Sequence, residues 1–111
     1  MKRQYRLRRS SDFHRVRQVG KSYASSLMVL AFLQNELAYS RFGFVVSKRL
    51  GNAVQRNRIK RRLREAIRLR LPQIKSGFDV VIIARKPVGN VTLKTIDQSL
   101  ARLLETSQLL G

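Results

Sequence analysis

The sequence predicts a small α+β domain, and three observations carry that expectation. Three apolar, β-rich runs of strand length occur at Ser26–Leu33, Arg41–Ser47 and Phe78–Ala84, bounded by turn-like Asn35-Glu36, Gly51-Asn52 and Ser76-Gly77. Three other segments carry helical periodicity. The length, 111 residues, suits one core, since a chain of this size buries only about two-thirds of the surface it exposes when unfolded. Residues 1–111 are therefore read as a single domain, without repeats or a low-complexity linker.

The first helix is short. Ser10 or Ser11 can cap it, Asp12 suits its positive end and Gly20 its exit, with Phe13, Val16 and Arg17 on one side. Gly20 to Ala24 can add an edge strand before the first two apolar runs. The second helix starts at Asn52, a good cap, and ends at Leu71, because Pro72 disfavours helical geometry in the residue before it. At 100° per residue, Ile59, Leu63, Ala66, Ile67 and Leu71 form its core face. Arg56, Lys60 and Arg64 descend one flank with Asn57 beside them. Arg58, Arg61 and Arg62 fall towards the other, and Arg68 continues the outward stripe. After the third apolar run, Thr92 to Leu109 reads as a packing helix, with an apolar stripe of Leu93, Ile96, Leu100, Leu103 and Leu104.

Charge sets the functional class. Lys and Arg total 24 against 6 acids, a net charge of +18. Such an excess repels itself in the compact state and calls for an anionic partner. Nucleic acid fits best, because cations that neutralise phosphates release condensed counterions. Arginine outnumbers lysine 17 to 7, which favours phosphate forks and base stacking over point charges. The basic residues cluster: Met1–Lys21 holds eight against Asp12 alone, and Lys48–Arg70 holds ten against Glu65 alone. A solvated helix face normally interleaves Glu with Lys, and here only Glu65 does so. No apolar run spans a bilayer, no apolar stretch follows the basic N-terminus as in a signal peptide, and cysteine is absent. The expected setting is cytoplasmic, with no membrane partner.

Catalytic constellations are missing from the sequence. The six acids, Asp12, Glu36, Glu65, Asp79, Asp97 and Glu105, suggest no paired site, and His14 is the lone histidine. Neither a glycine-rich phosphate loop nor zinc-ligand spacing is present. Phe13, on a short helix among Arg9, Arg15 and Arg17, is the aromatic best placed to stack an unpaired base, the alternative being burial in the core.

The run from Phe44 to Glu65, including Ser47-Lys48-Arg49-Leu50-Gly51-Asn52 and Arg56-Asn57-Arg58, resembles the signature of the bacterial ribonuclease P protein component, whose RNR motif Arg56-Asn57-Arg58 matches. Arg6-Leu7-Arg8, Asp12-Phe13, Val16 and Gly20 are similar to that family's opening helix, and Ile83-Ala84-Arg85-Lys86-Pro87 to the segment after its last strand. The resemblance implies an α-β-β-β-α-β-α order: a small, mostly antiparallel sheet of three to four strands with three helices, like the second domain of ribosomal protein S5. It also implies a left-handed βαβ crossover, against the usual right-handed rule.

By the same resemblance, the protein is the auxiliary subunit of an endoribonuclease whose RNA subunit does the chemistry. Its partners are that catalytic RNA and precursor tRNA, with no protein partner implied. Magnesium serves the RNA, and the protein holds no cofactor, no metal and no catalytic residue. Phe13 and Arg17 would line a cleft for the 5′ leader, with Lys48, Arg49, Arg56, Asn57 and Lys60 at its edge. Arg58, Arg61, Arg62, Arg64 and Arg68, with Arg85 and Lys86, would hold the catalytic RNA. Arg17 stands where many members have a second aromatic, and Ala31 where some have tyrosine, so the stacking platform is thinner here. The rival readings are a ribosomal or other structural RNA-binding protein and a histone-like DNA-bending protein.

Overall fold

The computed structural model describes residues 2–111. A strap at Arg6–Arg9 leads into α1 (Ser10–Val19), followed by β1 (Lys21–Ala24), β2 (Met28–Gln34), β3 (Arg41–Val45), α2 (Ala53–Arg70), β4 (Phe78–Ala84) and α3 (Leu93–Thr106). The strands form one sheet in the order β1-β2-β4-β3. β1 with β2 and β2 with β4 are antiparallel, while β3 runs parallel to β4. A parallel pair needs a crossover, and α2 supplies it.

Alternation along the strands divides the core. Leu30, Phe42, Val80 and Ile82 face α2 and α3, where Ile59, Leu63, Ala66 and Ile67 of α2 meet Ile96, Leu100, Leu103 and Leu104 of α3. Ala31 and Val81 face the other way and pack with Leu7 and Val16 beneath α1, with Phe13, Leu33, Val45 and Ile83 at the margin. In register, Ala31, Val81 and Gly43 form a row of small residues across the sheet. A methyl group at Gly43 would collide with the Cε1 and Cζ of Phe13, so the missing side chain is what lets that ring lie down on β3.

Most boundaries fall within two or three residues of the sequence expectations; β4 matches to the residue, and β3 stops at Val45, short of the expected Ser47. The departures have local causes. Neither Ser10 nor Ser11 caps α1. Arg9 occupies the N-cap position, and its carbonyl accepts from the N–H groups of Asp12 and Phe13 at 3.0 and 3.3 Å. Gly20 does end α1, but in extended backbone (φ −75°); it is needed because a Cβ there would meet the carbonyl oxygens of Val16 and Phe32. β2 begins at Met28 because the Ser25 hydroxyl accepts from the N–H groups of Leu27 and Met28, tightening the turn after β1.

The end of α2 corrects the proline argument. Leu71 is helical (φ −49°, ψ −45°) despite preceding Pro72, and the break falls at Arg70 (φ −106°, ψ 0°). Pro72 sits within a single 3-10 turn, Leu71–Gln73, whose opening residues need no N–H donor. α3 stops three residues short of the expected Leu109. Gln108 turns left-handed (φ 61°), and the Leu109 N–H returns to the Leu104 carbonyl at 2.9 Å, folding Leu109 into the core.

Candidate nucleic-acid interface

Three concavities lie on the strap, α1 and α2. One, of about 600 Å³, is lined by Arg8, Ser10, Phe13, His14, Arg17, Gln18 and Val45. Phe13 is half-buried: its ring rests over Gly43 against the small cluster beneath α1, and it also borders the opening. The two sequence alternatives for Phe13 therefore describe two sides of one ring. Arg17 joins it, so a guanidinium and an aromatic share the cleft, a pairing suited to stacking bases and holding backbone. Ala31 is only 3% exposed under α1 and takes no part in lining this cleft.

A second concavity, of about 440 Å³, is lined by Val54, Asn57, Lys60, Arg61 and Arg64. Here the wheel reading needs correction. Arg61 lies with Asn57 and Lys60, because residues 57, 61 and 64 share one helical stripe. Arg62 does belong to the opposite flank, where its Nη1 donates to the Val91 carbonyl at 3.1 Å. Arg58 is exposed, and Arg68 is exposed but tied to Glu65 through two hydrogen bonds of 2.9 and 2.6 Å.

The start of α2 is held firmly. Asn52 accepts from the Gln55 N–H at 2.9 Å, and the Gln55 side chain accepts from the Asn52 N–H at 2.8 Å, closing a capping box. Gly51 adopts φ 135°, and the Gln55 side chain lies over it where a Cβ would be. This fixes the 3-10 turn Lys48–Leu50 against the helix, presenting Lys48 and Arg49 to solvent beside its positive end. Arg56 is half-buried and lines neither concavity. Its Nε is closed from solvent and has no hydrogen-bond partner among the described residues. Arg85 and Lys86 are exposed after β4, and Arg85 Nη1 donates to the Ser25 carbonyl at 2.9 Å.

The third concavity, of about 720 Å³, was not foreseen. Arg6, Arg8, Arg9, Asp12 and Arg41 line it. Its signal in the sequence was the alternation Arg6-Leu7-Arg8: burying Leu7 turns both neighbours outward.

Carboxylates are largely spoken for. Arg41 takes Asp79 in a fork, Nε to Oδ1 at 2.9 Å and Nη2 to Oδ2 at 2.7 Å, and approaches Asp12 at 3.7 Å. Arg70 forks Asp97 at 2.7 and 2.8 Å, and that hydrogen bonding holds the Asp97 carboxyl below its ordinary range. Among the described residues no three His, Cys, Asp or Glu side chains gather as a metal site requires, and no helix is long and apolar enough to cross a membrane.

These features define a class: a small, strongly basic α+β protein with an aromatic-bearing cleft on one sheet face and a cationic crossover helix beside it. The chain belongs to the ribonuclease P protein family, whose sequence model, Ribonuclease P, matches residues 1–108. It is 45% identical over 106 residues to the ribonuclease P protein component of Roseiflexus castenholzii, covering 95% of this chain and 87% of that one. Against the component from Clostridioides difficile it is 41% identical over 104 residues, covering 93% and 91%. Among solved structures, the Staphylococcus aureus RNase P protein superposes with a TM-score of 0.89 at 36% identity, covering 96% of this chain and 98% of that one. The Thermotoga maritima RNase P protein gives 0.84 at 37% identity, covering 91% and 96%. The α+β class and the four-stranded, three-helix architecture expected from the resemblance are those of this family.

Proposed function

We propose that this chain is the protein subunit of ribonuclease P, binding the catalytic RNA and the 5′ leader of precursor tRNA while the RNA removes the leader. The observation that carries this reading is the half-buried Phe13 ring over Gly43, sharing its cleft with Arg8 and Arg17. One side of the ring is fixed by packing, so a base can stack on the remainder at little conformational cost, while the arginines hold adjacent phosphates. Lys48, Arg49, Arg56, Asn57 and Lys60 extend that cationic edge. Arg58 and Arg62 on the far flank, Arg68, and Arg85 with Lys86 serve the catalytic RNA. Arg61 and Arg64 stand between the two sets, sharing a concavity with Asn57 and Lys60.

Phosphate contacts position RNA without reading sequence, which suits a subunit that must accept many leaders. Magnesium is assigned to the RNA, where it supplies the metal-assisted hydrolysis. Four of the six carboxylates here, Asp12, Glu65, Asp79 and Asp97, are engaged by arginine, a poor donor set for a catalytic ion. The reading places the protein in the cytoplasm as part of a ribonucleoprotein, with no cofactor of its own.

The test is reconstitution. With the catalytic RNA, the chain should support magnesium-dependent cleavage of precursor tRNA at the mature 5′ end; alone, it should cleave at no magnesium concentration. Activity of RNA-free protein that survives repurification would refute the division of labour. Failure to bind the RNA at all would refute the assignment.

A further inference from the structure

The strap before α1 joins the concavities that the two RNA partners would use. Arg6 and Arg9 are in extended backbone (φ −104°, ψ 131° and φ −88°, ψ 136°). Between them Leu7 is 5% exposed, and its N–H donates to the Phe42 carbonyl at 2.9 Å, pinning the strap along the open edge of β3. Alternation then sends Arg6 and Arg8 outward. Together with Arg9 and Arg41 they surround a concavity of about 720 Å³ whose one acid is Asp12.

Charge there is not balanced from within. Asp12 and Asp79 both pair with Arg41, and no carboxylate among the described residues pairs with Arg6, Arg8 or Arg9. The imbalance continues into the neighbouring site. Arg64 of α2 has its Nε shut from solvent without a hydrogen-bond partner. Its guanidinium is pushed below the usual arginine range, first by burial and then by the charge of Arg6. No carboxylate among the described residues pairs with either Arg6 or Arg64. On the other side, Arg8 also lines the Phe13 cleft. The strap thus borders the Phe13 cleft through Arg8, and the charge of Arg6 is felt at Arg64 of α2.

The geometry points to a phosphate subsite formed by Arg6, Arg8 and Arg9, which takes a backbone phosphate of RNA at the junction between the α1 cleft and the α2 face. Arg41, locked by Asp79, forms its wall and holds the site's shape rather than a ligand. This rests on the function proposed above and extends it to Arg6 and Arg9, which line neither the Phe13 cleft nor the α2 concavity, with Arg8 shared between the subsite and the cleft. Guanidinium forks match phosphate oxygens, and no aromatic side chain lines the concavity to stack a base. The site therefore tracks backbone. The phosphate belongs either to the leader strand or to the catalytic RNA.

The experiment uses the full chain assembled with the catalytic RNA. The variants are Arg8→Ala, Arg8→Lys, Arg9→Ala and the triple Arg6→Ala/Arg8→Ala/Arg9→Ala, each checked for unchanged thermal unfolding. Affinities are read against salt for catalytic RNA, for precursor tRNA with leaders of increasing length, and for mature tRNA. Because the three arginines share one phosphate, the triple variant should flatten the log-affinity against log-salt plot by only about 0.7–0.9 unit. Arg8→Ala should weaken binding about tenfold by loss of charge-assisted hydrogen bonds, and Arg8→Lys by less. A loss confined to leader-bearing substrate beyond a threshold leader length assigns the phosphate to the leader. A loss in assembly with the catalytic RNA, equal for both tRNAs, assigns it to that RNA. Unchanged slopes in every arm, with wild type assembling and cleaving normally, would overturn the subsite while leaving the proposed function intact. If the triple variant fails to fold, Arg9→Ala decides, because Arg9 lines this concavity and not the Phe13 cleft: affinity and salt slope equal to wild type overturn the proposal.

Discussion

The two faces of the sheet are built to different ends. The face under α2 and α3 is closed: among the described residues, nineteen buried ones from β2, β3, β4, the two long helices and the adjoining turns form one continuous cluster. The face under α1 is barely covered, with four buried residues, Leu7, Val16, Ala31 and Val81, and a margin of half-buried ones that includes Phe13. Hydrophobic stabilisation grows with apolar area removed from water, so the first face carries the fold. The second gives up burial in exchange for a cleft whose rim is arginine. The contrast predicts that substitutions on the closed face move stability, and those on the open face move RNA binding.

The largest effect should come from the closed face. Leu63, 1% exposed at the centre of α2, truncated to alanine should cost about 2–5 kcal/mol of folding free energy, read by denaturant unfolding. Under conditions where the variant is still folded, its preference for leader-bearing over mature tRNA should match wild type. A changed preference would mean that the two faces are coupled and the comparison is too simple.

On the open face the ordering should reverse. Phe13→Ala should weaken holoenzyme binding of leader-bearing precursor by about 1–3 kcal/mol and leave mature tRNA nearly unaffected. Its stability cost should fall below the 3–5 kcal/mol of a fully enclosed phenylalanine, since one side of the ring already borders the cleft. Gly43→Ala sharpens this. The added methyl evicts the ring without removing it, so the variant should lose leader preference as Phe13→Ala does. If Gly43→Ala keeps the wild-type preference, ring position on β3 does not govern leader binding.

Within α2 the flanks should separate by salt dependence. Arg58→Ala and Arg62→Ala should each lower the salt slope for assembly with the catalytic RNA by about 0.7–0.9 unit, with little change in leader preference. Arg62 has the weaker claim on RNA, since one of its donors already serves the Val91 carbonyl. Two unchanged slopes would make this flank a solvated surface.

What the sequence made legible follows from what is local. The Asn52 cap, the bounds of β4 and the core stripe of α2 depend on neighbours within a turn or on strict alternation, and each could be read from spacing. Phe13 as a candidate rested on its basic neighbours and on a family resemblance. What could not be read depends on pairs distant in the chain. Gly43 beneath Phe13, the strap pinned by Leu7 on Phe42, and the fork of Asp79 on Arg41 are products of the fold. Arg61 was misplaced for a different reason: it stands four residues after Asn57 and three before Arg64, so helical spacing itself puts it on their stripe and not on the far flank. Pro72 shows the limit of a local rule, since the preceding residue took the helical geometry that the rule disfavours.

The smallest expected effect tests whether the closed face owes anything to charge. Arg70 on α2 forks Asp97 on α3, with side chains 24% and 32% exposed. Hydrogen bonding from Arg70 holds the Asp97 carboxyl below the ordinary aspartate range, overcoming the opposing cost of burial. A carboxyl depressed in the folded state contributes stability that is complete above its unfolded pKa and lost as pH falls through the native one. The contribution should therefore be constant at neutral pH and disappear only below about pH 4. Solvent screening at this exposure keeps it to about 1 kcal/mol or less. Asp97→Asn should lower stability by that amount at pH 7, and the gap from wild type should close on acidification, read by thermal unfolding from pH 7 to pH 3. A gap of several kcal/mol at pH 7 would mean that this ion pair rather than apolar packing joins α2 to α3, and one that widens in acid would refute the depressed Asp97 carboxyl.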